Sequence, residues 1–130
     1  MKRACFTGRW QPPHLGHDWL VAQKLSKGIP ILILVRELPP DDKNPLTTEQ
    51  VVEILEARYA AHDVVIMTIP DIESINYGRG VGYSIEEHVP PTEVGYISAT
   101  QIRKCLSEKD DSWKSCVDPS IHQLVVKYLG

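Results

Sequence analysis

What the chain lacks narrows it first. No stretch approaches the roughly 18 consecutive apolar residues of a membrane span, so a membrane partner is not expected. Basic residues hold no excess. Lys and Arg number 14 against 17 Asp and Glu, for a net charge of −3 and a pI near 5.9. General attraction to nucleic acid or an anionic membrane surface is therefore excluded, and a local basic cluster for a phosphate is not. Cysteine is sparse: Cys5, Cys105 and Cys116 are odd in number, widely spaced and form no C-x-x-C. Free thiols of this kind suit a reducing compartment. The apolar run after Met1-Lys2-Arg3 is too short for a signal peptide. The expected location is the cytoplasm. There is no internal repeat, linker or low-complexity segment. What remains is 130 residues at 42% apolar and 24% charged content, the composition of one globular domain. At this length folding buries roughly two-thirds of the chain's surface, enough for a core without staples.

Taken in order, residues 3–7 read as a first strand, followed by a polar turn and a helix over 16–27. Gly28 is the expected helix stop, with Lys24 and Lys27 in the last turn. Ile29–Val35 is the clearest strand, and its unbroken apolar run predicts a strand covered on both faces. After a proline-rich loop, Thr47 and Gln50 have capping-box spacing. An amphipathic helix with Val51, Ile54 and Leu55 inward is expected to run to about Ala61. Val64–Ile69 is a third strand, ended by Pro70. Residues 71–83 are irregular, a short helix is expected across Val81–His88, and Val94–Ile97 reads as a fourth strand. Ser98 and Gln101 repeat the capping-box spacing, and Asp118-Pro119 opens a last helix.

Strands alternating with helices argue for a parallel sheet with right-handed crossovers. The expected fold is α/β: a Rossmann-like, doubly wound parallel sheet in one compact three-layer α/β/α domain. With strand order 3-2-1-4, the turn at Thr7–His17 and the helix start at Ser98 face each other across the switch point, where such sheets bind ligands.

The chemistry at that turn follows from its residues. His14-Leu15-Gly16-His17 puts two imidazoles one turn apart at a helix start. Gly16 between them allows close approach to the backbone. Imidazole N–H groups and helix-start amides suit phosphate oxygens. Histidines that merely cap or sit on the surface are the bland alternative. A metal pair is another, but no Cys or carboxylate stands at ligand spacing.

The longer string Gly8-Arg9-Trp10-Gln11-Pro12-Pro13-His14-Leu15-Gly16-His17 resembles the first motif of the nucleotidyltransferase superfamily, G-R-F-Q-P-x-H-x-G-H. Ile97-Ser98-Ala99-Thr100-Gln101-Ile102-Arg103 resembles its second, I-S-x-T-x-I-R. Class I aminoacyl-tRNA synthetases share the first motif, but they are larger and carry a lysine-rich loop in place of the second. The resemblance implies one cytidylyltransferase-like nucleotidyltransferase domain over residues 1–130. It implies transfer of a nucleotide from a nucleoside triphosphate to a phosphorylated small-molecule acceptor, with Mg²⁺ and release of pyrophosphate. It assigns His14, His17 and Arg103 to catalysis, and Thr7, Gly8, Arg9, Trp10, Gly16, Ser98 and Thr100 to nucleotide binding.

The G-R-x-Q-P form is typical of adenylyltransferases, which implies ATP. Asn44-Pro45-Leu46-Thr47 and Ile69-Pro70-Asp71-Ile72-Glu73 resemble N-P-F-T and I-P-D-I-E of the archaeal-type nicotinamide-mononucleotide adenylyltransferases. That likeness implies nicotinamide mononucleotide as acceptor and NAD as product. It also implies an acceptor site at Asp71, Tyr77 (as an aromatic that stacks on the nicotinamide ring) and Arg79. Ordinary loop packing for Tyr77, a turn role for Asp71 and a solvated Arg79 are the alternatives. Two features depart from the family. Trp10 stands where phenylalanine is usual. The segment before Ser98 is short and lacks the family's S-G-N turn and a further strand. Gly78-Arg79-Gly80-Val81-Gly82 is not a dinucleotide fingerprint. The short chain keeps two other readings open: a CTP-dependent cytidylyltransferase acting on a small alcohol phosphate, and a nucleotide-binding sensor without catalysis. A sheet of about four strands leaves an edge or helix face that is expected to pair in a homo-oligomer.

Overall fold

The computed structural model describes residues 2–130. Strand β1 (Ala4–Gly8), strand β2 (Ile31–Glu37) and strand β3 (Val64–Pro70) form a parallel sheet in the order β1-β2-β3. Residues Ala4, Ile31 and Val64 lie abreast, as do Phe6, Ile33 and Ile66. Helix α1 (Leu15–Leu25) links the first two strands, and helix α2 (Thr48–Arg58) the second and third. The α/β, Rossmann-like class expected from the strand and helix alternation holds, and so does its 3-2-1 arrangement.

Local chemistry explains most element ends. Thr47 caps α2 with a full capping box, its hydroxyl accepting from Gln50 N and the Gln50 amide oxygen accepting from Thr47 N. Ser26 caps the end of α1, and Gly28 at φ +76° turns the chain toward β2. Ser98 caps helix α4 (Ala99–Ser107) through Gln101 N. Asp118 accepts from Ser120 N at the start of a short 3₁₀ turn that leads into helix α5 (His122–Leu129).

Two expected elements are corrected. Val94–Ile97 is not a fourth strand. Thr92–Gly95 forms a one-turn helix, α3, entered from Pro91. Val94 N and Gly95 N donate to Pro91 O at 3.0 and 2.8 Å, and Ile97 N donates to Val94 O at 3.1 Å. Backbone donors satisfied locally by a turn that Pro90-Pro91 sets up leave nothing for a sheet ladder. The other correction is at Val81–His88, which carries no helix. Gly80 and Gly82 adopt φ +79° and +82°, where a right-handed helix does not go.

The core lies on one side of the sheet. Ile31, Ile33 and Val35 are fully buried there with Val21 of α1, Val51, Ile54 and Leu55 of α2, and Ile102, Leu106 and Val125 of the C-terminal helices. Strands that advance in one direction through right-handed crossovers put their connecting helices on one face. Cover on both faces of β2 was expected from its apolar run. The opposite face is thinly covered: Leu32 and Leu34 are half-buried, and Val65 and Met67 are 38% and 48% exposed. Helix α1 is tied to α2 by Asp18, which accepts from Tyr59 Oη at 2.7 Å and Arg58 Nε at 3.1 Å. That tie sets the orientation of the helix that carries the two histidines.

Candidate nucleotide site

The turn between β1 and α1 is held by side chains that replace backbone partners. His14 is the N-cap of α1, and its Nδ1 accepts from Gly16 N at 3.0 Å. His17 Nδ1 accepts from His14 N at 3.2 Å, so the pair forms a capping box built from imidazoles. The two rings stack at 3.9 Å, and the Trp10 indole lies 4.6 Å from His17. A backbone amide can only donate. Both Nδ1 atoms are therefore unprotonated, and each neutral ring carries its proton on Nε2. Burial pushes His14 down to about 4, and burial with the neighbouring His14 pushes His17 down to about 3. At neutral pH the site presents two Nε2–H donors and no imidazolium.

Gly16 has a steric reason to be glycine: a Cβ there would stand 2.8 Å from His14 Cε1 and 2.9 Å from its Nδ1. Trp10 is 1% exposed, sits at φ +56°, and donates from its indole N–H to Leu34 O at 3.2 Å. The strained backbone region is occupied here by a large residue that tertiary contacts hold in place. The Trp10 side chain has a packing role: the indole backs His17 rather than facing solvent. Gly8 lies over the same indole, with a built Cβ 3.2 Å from Trp10 Cε2.

The second motif meets the first. Arg103 Nη1 donates to Gln11 O at 2.7 Å across 92 positions of chain. Ile97 O lies 4.0 Å from where a Gly16 Cβ would stand, so the start of α4 abuts the start of α1. Burial and the nearby Arg9 charge both lower the Arg103 pKa. Neither Arg9 nor Arg103 has a carboxylate partner among the described residues. Two guanidinium groups within each other's field favour an anion nearby, and the Asp41 carboxylate already lies in the field of Arg9. Ser98 and Thr100 are exposed at the first turn of α4, and Thr7 is exposed near the end of β1.

The acceptor candidates are not gathered there. Asp71 sits just beyond β3, where it accepts from Ile72 N and pairs with Arg36 at 3.4 Å. Tyr77 and Arg79 lie exposed in the irregular stretch after it. A groove of about 690 Å³ lies elsewhere, between the end of β2 and α2, and Glu37, Glu49, Glu53 and Glu56 line it. Its charge repels a triphosphate. No group of three His, Cys, Asp or Glu side chains among the described residues is placed to hold a metal ion. The donor set at the histidine turn fits phosphate oxygens rather than a metal.

Sequence reading passed over Gln11. It is 6% exposed, its amide oxygen accepts from Leu46 N at 2.9 Å, and its amide nitrogen donates to Leu46 O at 3.2 Å. The signal available was its place inside the first motif, which does not say what the side chain touches.

Two abutting helix starts, paired imidazole donors and guanidinium groups without a carboxylate partner, at the carboxyl end of a parallel strand, make a donor set that suits phosphate oxygens in an α/β protein. No family model matches the chain. It is similar over its whole length to the nicotinamide-nucleotide adenylyltransferase of Caldivirga maquilingensis, 24% identical over 164 positions that cover 90% of that protein. It is also similar to nicotinamide-nucleotide adenylyltransferase 1 of Sulfolobus acidocaldarius, 27% identical over 98% of this chain and 91% of the relative. A third relative, from Methanococcus maripaludis, is 29% identical over 83% of this chain and 64% of its own length. The resemblance first seen in two motifs thus extends along the chain, which is similar over nearly its whole length to archaeal nicotinamide-nucleotide adenylyltransferases. An alignment of 164 positions exceeds the 130 residues here, so that relative carries residues with no counterpart in this chain.

Proposed function

We propose that the chain transfers AMP from ATP to nicotinamide mononucleotide, giving NAD and pyrophosphate. The observation that carries the reading is the locked tautomer of His14 and His17. Both rings are left with Nε2–H, and Arg103 is anchored on Gln11 O of the same turn, with Arg9 in its field. An oxygen of the acceptor phosphate attacks the α-phosphorus. That bond forms as the bond to the bridging oxygen breaks, and pyrophosphate leaves with the electron pair. Such a transfer needs position and charge stabilisation rather than a covalent enzyme group. Neutral donors supply stabilisation without taking part in proton transfer. His14 and His17 serve the α- and β-phosphates. Arg9 and Arg103, with Ser98 and Thr100 at the α4 start, serve the outer phosphates. Mg²⁺, when bound with the nucleotide, would supply charge neutralisation, and no group of three His, Cys, Asp or Glu side chains among the described residues is placed to hold it. The names of the relatives support ATP over CTP and nicotinamide mononucleotide over other acceptors, with Asp71, Tyr77 and Arg79 as the proposed acceptor side.

One observation favours a second reading, nucleotide binding without turnover: the described residues form no fourth strand, and Tyr77 and Arg79 lie exposed in an irregular stretch. Incubation with Mg²⁺, ATP and nicotinamide mononucleotide separates the two. Pyrophosphate release that disappears in His17→Ala supports transfer. ATP binding with no release above that variant supports a sensor. Three free cysteines support a reducing compartment, and the cytoplasm is the proposed location. Val65 and Met67 on the thin face of the sheet support self-association, which sedimentation of the purified chain measures directly.

A further inference from the structure

We infer that Gln11 is a positioning residue, the clamp that holds the histidine turn in register with α4. The inference rests on the proposed nucleotide site and adds a residue to it. Three segments distant in sequence converge on this one position. Its side-chain amide pairs with both backbone groups of Leu46, in the manner of a strand neighbour, at 2.9 and 3.2 Å. Leu46 is 1% exposed and directly precedes the Thr47 cap of α2, so the clamp is anchored in the core. On the other side, the Gln11 carbonyl receives Arg103 Nη1 at 2.7 Å.

The geometry divides the labour within residue 11. The side chain fixes the backbone, and the backbone fixes Arg103. One guanidinium N–H is spent on that carbonyl, which leaves the remaining donors of the fork to face phosphate in a set direction. His14 follows three residues later, so a shift at Gln11 moves the α1 cap and the Arg103 anchor together. The amide is also costly to lose. Replacing it with an apolar side chain leaves Leu46 N and O unpaired in a buried place. The chain at residues 9–14 is then free to drift from α4.

The role is tested with Gln11→Met, which keeps length and burial but removes both bonds, and with Gln11→Glu, which keeps the acceptor for Leu46 N and loses the donor to Leu46 O. ATP affinity is measured by titration calorimetry at a temperature where each variant is folded, and kcat and KM are measured with nicotinamide mononucleotide. The expected result is a kcat lowered by about a hundredfold in Gln11→Met, the scale of loss from a misplacement of about 1 Å, with Gln11→Glu intermediate. In an Arg103→Lys background the same substitution should cost far less, because the group it positions is already gone. Folded Gln11→Met with wild-type ATP affinity and kcat overturns the role, and so does full additivity with Arg103→Lys. If Gln11→Met does not fold, wild-type values in Gln11→Glu overturn it equally. A wild-type chain that binds no ATP overturns the nucleotide site itself, which the variants alone cannot do.

Discussion

His14 and His17 cap one another's helix turn through Nδ1 while their rings stack at 3.9 Å, so one pair of side chains both starts α1 and arms the site. The two roles use different atoms. Nδ1 is spent on the backbone, and Nε2–H is left for the proposed nucleotide. That division allows the cap and the chemistry to be separated by substitution.

Asparagine is among the best N-cap residues. His14→Asn should therefore leave stability within about 1 kcal/mol of wild type. It removes the Nε2–H donor, so activity should fall by about a hundredfold or more, the cost of one lost transition-state donor. Urea denaturation and a pyrophosphate assay on the same preparation check both halves. Equal losses in both would show that the cap and the donor are not separable.

Acid should weaken the fold through the same pair. Native His14 and His17 hold off protonation until about pH 4 and 3, whereas the unfolded chain takes up these protons from about 6.5 downward. The unfolded state then binds more protons, so stability is fully present above about pH 6.5 and declines as pH falls toward 4. The loss is on the order of 3 kcal/mol for His14. Unfolding midpoints measured from pH 7 down to 4 should show this slope, and His14→Asn should flatten it. Protonation at Nδ1 would also oppose the amides of Gly16 and His14, so the decline should be accompanied by fraying of α1.

Gly16→Ala separates helix propensity from site geometry. At an exposed helical position, alanine gains about 1 kcal/mol over glycine. Here the new Cβ would stand 2.8 Å from His14 Cε1, so the ring must move. Nucleotide affinity should fall while the circular dichroism of the folded chain is kept. Wild-type affinity in Gly16→Ala would mean that the His14 ring position does not matter for binding.

Trp10→Phe restores the residue usual in the first motif and should nonetheless destabilise this chain. It deletes the bond to Leu34 O and part of the buried surface behind His17. The lost hydrogen bond alone costs roughly 0.5–1.5 kcal/mol. The melting temperature should drop, and ATP affinity should fall with it as His17 loses part of its backing.

Elements whose instructions are local were readable in the chain. The Thr47 and Ser98 caps, the apolar run of β2 and the strand-to-helix change at His14 all depend on neighbours within a few residues. Val94–Ile97 has strand-like residues and became a helical turn, because Pro91 directs the backbone and no open partner won its donors. The apolar run of β2 correctly marked a buried strand. It did not reveal that both connecting helices lie over one face, because that follows from the order in which strands join the sheet.

By itself the sequence determined the class of chemistry: two motifs at two helix starts, with donors that suit phosphate. Tertiary structure decided the state of those donors. The imidazole tautomer depends on which backbone amide each Nδ1 meets, and the lowered pKa values depend on burial beneath neighbours. The place of Arg103 depends on a carbonyl 92 positions away, and that carbonyl depends on Gln11 pairing with Leu46. Desolvation and long-range hydrogen bonds exist only once the chain has folded, so no local pattern can encode them in readable form.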